Sequence, residues 1–173
     1  TAELERLSPS KIYVLGGTSA VEASAVSTLS TIAATERIGG VNRYETAANV
    51  SKAIFTTAST VYIASGASYP DALSGGPGAA KRGGPMLLTS PSSLPAPTRT
   101  ELARLKPTQV VVMGGTGAIS AAVVDQIKTA APAATVTRYG GADRYATAAA
   151  HARAVWPTGS STVFYASGLN FPD

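Results

Sequence analysis

The chain has 173 residues, of which 45% are apolar and 14% charged, and this composition indicates a folded globular protein. It contains no cysteine, which excludes a thiol nucleophile, a disulfide framework and cysteine-based zinc sites. The formal net charge of +4 is too weak and too dispersed for nucleic-acid binding, but it suits an anionic polymer contacted at a few points. No apolar run approaches the ~20 residues that cross a bilayer, so membrane insertion is not expected.

The first third of the chain alternates apolar runs with helix signals. Ile12–Leu15 is a short apolar, β-branched run that predicts a strand. Ser19 is predicted to cap a helix that extends to Ile32. Asn42 is predicted to cap a second helix over Arg43–Phe55.

The middle of the chain continues the alternation. Val61–Ala64 predicts a strand, and Pro70-Asp71 is expected to open a helix rich in glycine and alanine. Such a poor helix former indicates close approach to a sheet, a ligand or a neighbouring unit. Met86–Leu88 is predicted to be a buried strand, Thr98–Leu105 a helix and Val110–Met113 a further strand.

Continuously apolar strands separated by helices predict a parallel sheet that is covered on both faces. The fold class is therefore expected to be α/β and Rossmann-like. Three sequence blocks also occur twice in the same order, with a period of about 100 residues, which predicts tandem units. Tandem units are more often binding modules than single-site enzymes. The paired blocks are Ile12–Thr18 with Val110–Thr116, Arg37–Ala48 with Arg138–Ala149, and Val61–Asp71 with Val163–Asp173.

Four motifs follow one another in the middle of the chain: R-x-x-G-x-[DN]-R-Y-x-T-A, A-S-G…[YF]-P-D-A-L, P-[IM]-L-L-T and V-x-[IV]-x-G-G-T. Their residues are Arg37, Gly40, Asn42, Arg43, Tyr44, Thr46 and Ala47, then Ala64–Gly66 with Tyr69–Leu73 (including Asp71), then Pro85, Met86, Leu87, Leu88 and Thr89, then Val110–Thr116. In these motifs the chain resembles the cell wall binding repeat 2 family.

This resemblance implies repeats packed about a pseudo-threefold axis, three to a protein. It also implies a secreted protein held non-covalently at a Gram-positive cell wall through an anionic polymer, with no cofactor and no catalysis. On this basis residues 37–128 form a complete repeat, residues 1–36 the end of a preceding one and residues 129–173 the start of a following one. The second copy stops where the first runs into its glycine-rich helix, so we expect a longer parent protein or a neighbour that completes it.

The Gly-Gly turns are the first candidate ligand site. Gly16 and Gly17, and again Gly114 and Gly115, follow a strand and precede a predicted helix, where open α/β sheets bind ligands and helix N-termini attract anions. No phosphate-binding fingerprint accompanies them. Tight turns that need a positive φ at glycine are therefore the favoured alternative.

The repeated arginines are the second candidate. Arg43 and Arg144 follow an Asn or Asp cap at a helix start, where a cation opposes the helix dipole. Each is expected either to pair with a carboxylate, since Asp71 and Asp173 recur in step, or to bind a phosphate or carboxylate of the ligand.

Lys81 and Arg82 precede Gly83-Gly84 and form a cationic pair beside a strand. They are predicted either to bind a polyanion or to form a solvated helix end, and the second alternative is slightly favoured. Met86–Leu88 is expected to be core strand, so that any effect of this motif on binding would be indirect.

Other conspicuous side chains are given structural roles. Tyr44 and Tyr145 are predicted to pack, with their hydroxyls near a turn. His151 is expected to be a partly exposed helix residue, because no second histidine, cysteine or acid cluster stands at metal-ligand spacing. No catalytic residue and no metal ligand is predicted.

Three functions remain open from the sequence. The leading one is a non-catalytic module that anchors a protein to anionic wall glycopolymer, with affinity that gains from multivalency and falls with salt. The second is a self-associating structural surface protein. The third, less favoured, is an α/β domain that binds a small phosphorylated ligand.

Overall fold

The computed structural model describes residues 1–169. Within these residues, strands and helices alternate along the whole chain. The elements are α1 (Ala2–Leu7), β1 (Lys11–Leu15), α2 (Ala23–Ser30), β2 (Ala34–Ile38), α3 (Arg43–Ile54), β3 (Thr60–Ser65), α4 (Pro70–Lys81), β4 (Met86–Thr89), α5 (Ala96–Leu105), β5 (Gln109–Met113), α6 (Ala121–Ala130), β6 (Thr135–Tyr139) and α7 (Arg144–Val155).

The strands form two parallel sheets. The smaller sheet pairs β1 with β2, and the larger has the order β4-β3-β5-β6. In the larger sheet Tyr62 of β3 lies opposite Met86 on one side and Val111 on the other. Parallel strands joined through helices are the predicted α/β, Rossmann-like architecture, which is therefore confirmed.

The larger sheet carries the core of the molecule on both of its faces. All six residues of β3 are buried, as its unbroken apolar sequence predicts. One face packs against α5 and α6 around residues such as Ile63, Leu102 and Ile127. The other face packs against α4 around Tyr62, Val111 and Met113. The two-sided cover expected from the sequence is thus present.

This sheet extends across the boundary that the sequence repeat suggests at residue 128. Its edge strand β6 comes from residues 129–173, and so does α7, which contacts α4. The segment taken from the sequence as a complete repeat is therefore joined to the following segment by a shared sheet and by a helix pair.

Helix α3 is joined to α5 through a buried charge. The carboxylate of Glu101 on α5 is fully buried and accepts a hydrogen bond from the hydroxyl of Ser51 on α3. Arg104 donates to the same carboxylate and to the carbonyl oxygens of Phe55 and Thr56 just after α3. Since a buried carboxylate is costly without partners, this network holds α3 against α5.

The glycines of α4 allow the close approach that the sequence predicts. A Cβ on Gly75 would lie 2.8 Å from both Met113 Cγ and Met86 Cε. A Cβ on Gly78 would overlap the ring of His151 on α7. The glycine-rich stretch therefore serves helix-to-sheet and helix-to-helix packing.

Two local predictions are wrong. Helix α2 begins at Ala23 after Glu22, and not after Ser19, and it ends before Ile32. The reason is a turn in which the amides of Ala20 and Val21 both donate to the Gly17 carbonyl oxygen.

The second copy of the β3 sequence also differs from the first. Residues 162–167 form no strand, and Val163, Phe164 and Tyr165 are 79%, 95% and 97% exposed. The end of this block, including Asp173, lies outside the described residues.

Candidate functional site

The Gly-Gly turns lie at the carboxyl ends of β1 and β5. Gly16 and Gly114 have φ angles of 108° and 104°, which disfavour a side chain. The prediction of tight turns that need positive φ is thus confirmed. The helices that follow begin only at Ala23 and Ala121, several residues beyond the turns, so a ligand at either turn would not meet the first turn of a helix directly after the strand.

An arginine holds each turn through backbone carbonyl oxygens. Arg37 donates from Nη1 to Gly16 at 2.7 Å and to Gly17 at 3.0 Å, and from Nη2 to Val21 at 2.7 Å. Arg138 donates to Gly114 at 2.7 Å and to Ile119 at 2.9 Å. A planar guanidinium with five donors suits this task, because it reaches several carbonyls at once.

Arg37 was predicted only as a motif residue, so sequence reasoning missed this role. The available signal was its return as Arg138 in the second copy, 24 residues after Gly114 where Arg37 stands 21 residues after Gly16. Burial lowers the pKa of the Arg138 guanidinium below its usual value, which agrees with its position under the turn.

A second pair of glycines contacts each turn. A Cβ on Gly39 would lie 2.9 Å from the carbonyl carbon of Gly16, and one on Gly140 would lie 2.9 Å from the amide nitrogen of Gly115. The neighbouring strands β1 and β2, and likewise β5 and β6, thus end in backbones packed on each other. The glycines are required for this packing, because a side chain at Gly39 or Gly140 would overlap the neighbouring backbone.

Asn42 caps α3 as predicted. Its side-chain oxygen accepts from the amides of Tyr44 and Glu45, both at 3.0 Å. In the second copy, Asp143 accepts from the amide of Ala146 at 2.7 Å. Both caps fix the start of a helix beside a glycine pair.

Arg43 and Tyr44 clamp the turn after β3. Nη1 of Arg43 donates to the carbonyl oxygen of Gly66, and the ring of Tyr44 lies so close that a Cβ on Gly66 would be 2.7 Å from Cε1. Arg144 and Tyr145 make the same contacts with Gly168. Each tyrosine ring thus lies against a glycine of the turn, and Tyr145 remains 52% exposed.

The predicted pairing of Arg43 with Asp71 is wrong, since no ion pair joins them within residues 1–169. Asp71 instead packs against Gly114, where an added Cβ would overlap its carboxylate. Burial raises the pKa of Asp71, and the positive charge of Arg144 opposes that rise. The Asp71 carboxylate therefore lies within the electrostatic influence of Arg144 in the following segment, because α4 and α7 are neighbours. The partner suggested for Arg144, Asp173, is not among the described residues.

Lys81 and Arg82 both have partners inside the molecule. Nζ of Lys81 donates to the carbonyl oxygen of Val155 at 3.0 Å, at the end of α7, and lies 4.9 Å from the ring centre of Trp156. Arg82 donates to the side-chain oxygen of Gln109 at 2.9 Å. These bonds tie α4 to α7 and to β5, a role that neither sequence interpretation included.

His151 is buried, with 1% of its surface exposed, so the prediction of a partly exposed residue is wrong. Its Nδ1 lies 3.1 Å from the carbonyl oxygen of Ser74 and its Nε2 lies 3.2 Å from the hydroxyl of Tyr62. The space for the ring comes from Gly78 of α4. Burial lowers its pKa.

A groove of about 820 Å³ lies between α3, α4 and the turn after β1. Its floor is the edge strand β4, through Met86 and Leu88, and its walls include the small residues Ala47 and Gly76. Asn42 and Arg43 provide polar groups at the glycine end. Of the predicted site residues it brings together Gly16, Gly17, Gly40, Asn42, Arg43, Thr46, Pro85, Met86 and Leu88.

The other predicted site residues lie elsewhere. Gly114, Gly115 and Arg144 lie at the junction with the following segment, and Leu87 is buried on the opposite face of the sheet. The expectation of a core strand thus holds fully for Leu87, whereas Met86 and Leu88 are half-buried and face the groove.

The described part of the chain holds no group of acidic, histidine or cysteine side chains that could bind a metal ion. Among the same residues, no helix has the length and apolar character needed to cross a membrane.

Parallel strands joined through helices, with a glycine turn at the ends of β1 and β5, define an α/β class of protein. Residues 37–124 match the model of the family described as Cell wall binding domain 2 (CWB2), and the chain belongs to this family. The resemblance drawn from the motifs is therefore confirmed, and the chain is a cell-wall-binding module.

Two characterised proteins of Bacillus subtilis (strain 168) are similar in sequence. N-acetylmuramoyl-L-alanine amidase LytC is 38% identical over 128 residues, which is 74% of this chain and 25% of that protein. The Amidase enhancer is 31% identical over 143 residues, 83% of this chain and 19% of that protein. The chain thus spans a quarter or less of the length of these relatives.

Solved structures of two Clostridium difficile proteins share the fold. Cwp8 superposes with a TM-score of 0.73 at 30% identity, over 84% of this chain and 24% of that one. Cwp6 gives a TM-score of 0.66 at 35% identity, over 69% of this chain and 19% of that one.

Proposed function

We propose that the chain is a non-catalytic module that holds a secreted protein at a cell surface by binding an anionic wall glycopolymer. The observation that carries the proposal is the groove between α3, α4 and the turn after β1, because it combines a cation with apolar walls. Sugar rings present C–H faces that pack on apolar surface, and phosphate or carboxylate groups accept from guanidinium.

Arg43 is the residue we assign to the anionic group. Its guanidinium has five donors, and among the described residues only the Nη1 bond to Gly66 is used. Gly66 fixes one side of the guanidinium, so the remaining donors are held in place beside Asn42. An oriented arginine loses less side-chain freedom on binding than a freely rotating lysine.

Two sequence alternatives receive less support. The Gly-Gly turns offer no helix N-terminus and are packed on a second glycine pair, so they are poor sites for a small phosphorylated ligand. Lys81 and Arg82 have internal partners, so they are weaker candidates for polymer contact than Arg43.

The test is co-sedimentation with purified Gram-positive cell walls, before and after mild acid removes the polymers that are not peptidoglycan. We expect binding that is lost after stripping and that weakens as salt screens the arginine. Binding that is unchanged by stripping contradicts the proposal.

Three variants test whether the polymer binds in the groove. Arg43→Gln removes the cation, and Ala47→Trp fills the groove and leaves every charge in place. Lys52→Gln, an exposed position of α3 outside the groove, is the control for a lost charge. We expect the first two to reduce binding and the control to retain it, with circular dichroism and melting temperature verifying the fold of each. Equal binding by all three variants contradicts the assignment of the groove as the polymer site.

A further inference from the structure

Helix α7 buries three residues along one face, Thr147, His151 and Val155. They stand four residues apart, so their side chains lie one above another on the helix. The middle residue, His151, meets α4 at the Ser74 carbonyl oxygen and in the space that Gly78 leaves. An ionisable ring therefore occupies the centre of the face that α7 buries.

The neutral form of this ring satisfies both of its nitrogens. The Ser74 carbonyl oxygen, 3.1 Å from Nδ1, can only accept, so Nδ1 carries the proton. Nε2 then accepts from the hydroxyl of Tyr62, which lies 3.2 Å away and is 0% exposed. Within residues 1–169 no buried side-chain nitrogen or oxygen is left without a partner.

A second proton on the ring breaks this arrangement. Both nitrogens then donate, so the Tyr62 hydroxyl has to accept from Nε2 and its own hydrogen needs another acceptor. Among the described residues this hydroxyl has no other hydrogen-bond partner. The charged form of His151 thus combines a buried charge with an unpaired buried donor, and both are costly.

The groups that face the ring do not offset this cost. Tyr62 of β3 and Tyr139 of β6 contact it with ring centres 5.4 Å away. Burial lowers the pKa of His151, and the positive charge of Arg82, just after α4, lowers it further, against the bond to Ser74. The ring is therefore surrounded by neutral or positive side chains.

The charges carried by the two helices have the same character. There is one acid, Asp71 at the start of α4, and it makes no ion pair with His151 within residues 1–169. Burial raises the pKa of Asp71, so its protonation favours the folded form and cannot release α7. The basic residues of the two helices are Lys81, Arg144 and Arg153.

We infer that acid releases α7 from α4 while the larger sheet stays folded, with His151 as the residue that takes up the proton. The core on the opposite face of the sheet, around Ile63 and Leu102, contains no histidine. The bond from Lys81 to the Val155 carbonyl oxygen lies at the end of α7 and does not involve the ring. The inference depends on groups buried inside the chain and not on the proposed polymer binding.

The direction of the pH effect follows from linkage. In the released form His151 is in water, where its pKa is about 6.5. Burial lowers the pKa in the docked form, so the released form binds the proton more tightly. The contact between α4 and α7 is therefore at full strength above pH ~6.5, and the equilibrium shifts toward release as the pH falls below that value.

Hydrogen exchange measures this equilibrium even when the released form is a minor one. Protection factors are compared at pH 7.5 and pH 5 for the amides of residues 148–155 in α7, with β3 as the reference. We expect α7 protection to fall by about tenfold, and linkage to one histidine limits the change to about thirtyfold. Protection of α7 that does not change with pH overturns the inference.

Dilute urea separates local release from unfolding of the whole molecule. Local opening exposes little surface, so we expect exchange in α7 to stay constant at urea concentrations that accelerate exchange in β3. Equal protection of α7 and β3 with an equal response to urea would show that α7 opens only when the sheet unfolds, which overturns the inference.

Three variants separate the histidine from the rest of the contact. His151→Gln keeps a neutral hydrogen-bonding side chain and should lose the pH dependence of α7 protection. His151→Gln/Ala152→His returns the ring to an exposed position of the same helix and should also show none. Lys81→Gln removes the bond to Val155 and should lower α7 protection by the same factor at both pH values.

A pH dependence that persists in either glutamine variant of His151, or that disappears in Lys81→Gln, overturns the inference. If His151→Gln fails to dock α7 at any pH, the wild-type chain and Lys81→Gln still decide, because neither alters the histidine.

Discussion

The hydroxyl of Tyr62 lies 3.2 Å from Nε2 of His151, and this contact joins the central strand β3 to α7. Nδ1 of the same ring lies 3.1 Å from the Ser74 carbonyl oxygen on α4. A neutral ring that donates from Nδ1 to Ser74 accepts at Nε2 from the tyrosine hydroxyl. The histidine thus links three elements in its uncharged form.

Acid should weaken this link. Burial lowers the pKa of His151, the charge of Arg82 lowers it further and the bond to Ser74 opposes both, while Tyr62 and Tyr139 complete its surroundings. The unfolded chain then binds the proton more tightly than the folded one. Stability is therefore full above pH ~6.5 and declines as the pH falls below it.

Two measurements check this. The chain has one histidine, so a single imidazole signal can be titrated by NMR, and we expect a pKa below about 6.5. Urea unfolding of the wild-type chain should also lose free energy between pH 7 and pH 5 that His151→Gln does not lose. A titration midpoint at or above the ordinary value contradicts the prediction.

The two glycines of α4 should respond in opposite directions to alanine. In Gly78→Ala the new methyl group would overlap His151 and lie 2.8 Å from the Tyr62 hydroxyl, so we expect a loss of about 1–3 kcal/mol. Gly76→Ala, with nothing within 4 Å, should gain about 0.4–1 kcal/mol from a less flexible unfolded chain. The midpoints of urea unfolding of the two variants test this prediction. Equal shifts of the midpoint would show that α4 does not pack closely on α7.

Removing the partner of a buried carboxylate should be costly. Arg104→Met leaves Glu101, whose side chain is 0% exposed, without its counter-charge, and we expect a loss of about 3 kcal/mol in the free energy of unfolding. Lys128→Met breaks an exposed pair with Asp125 and should cost less than about 1 kcal/mol. Adding Glu101→Gln to Arg104→Met should recover part of the loss, and failure to do so would point to packing as the cause.

The arginine under the second Gly-Gly turn should control the local opening of that turn. Arg138→Lys keeps the charge, but a lysine cannot donate to the Gly114 and Ile119 carbonyl oxygens at the same time. One charged hydrogen bond, which contributes about 1.5 kcal/mol to the stability of the turn, is therefore lost. We expect amide exchange over residues 115–119 to become about tenfold faster. Arg153→Lys on the exposed side of α7 is the matched control, and the same acceleration there would contradict a specific role for Arg138.

Much of the fold could be predicted because its signals are local. The buried strand β3, the Asn42 cap and the opening of α4 at Pro70 each depend on residues within one turn or one strand. The positive φ at Gly16 could be predicted for the same reason, since a strand must stop within two residues.

The errors concern contacts between distant residues. His151 stands in an alanine-rich helix with a weak pattern, and its burial depends on a space that Gly78 leaves on another helix. Lys81 looks free in the sequence because its carbonyl partner, Val155, follows far along the chain. Ser19 is a residue type that often caps helices, but it lies in a turn in which the amides of Ala20 and Val21 donate to Gly17 and which Arg37, further along the chain, bonds at the Gly17 and Val21 carbonyl oxygens.

The strand β6 belongs by sequence to one segment and by hydrogen bonding to the sheet of the segment before it. The segments are therefore not independent folding units that can be added or removed at their sequence boundaries. A cut after residue 128 would strip β5 of a neighbour, whereas an exchange between equivalent positions in the two copies would rebuild every junction. A change in the number of units that keeps the sheet intact therefore has to preserve the pairing of β5 with β6.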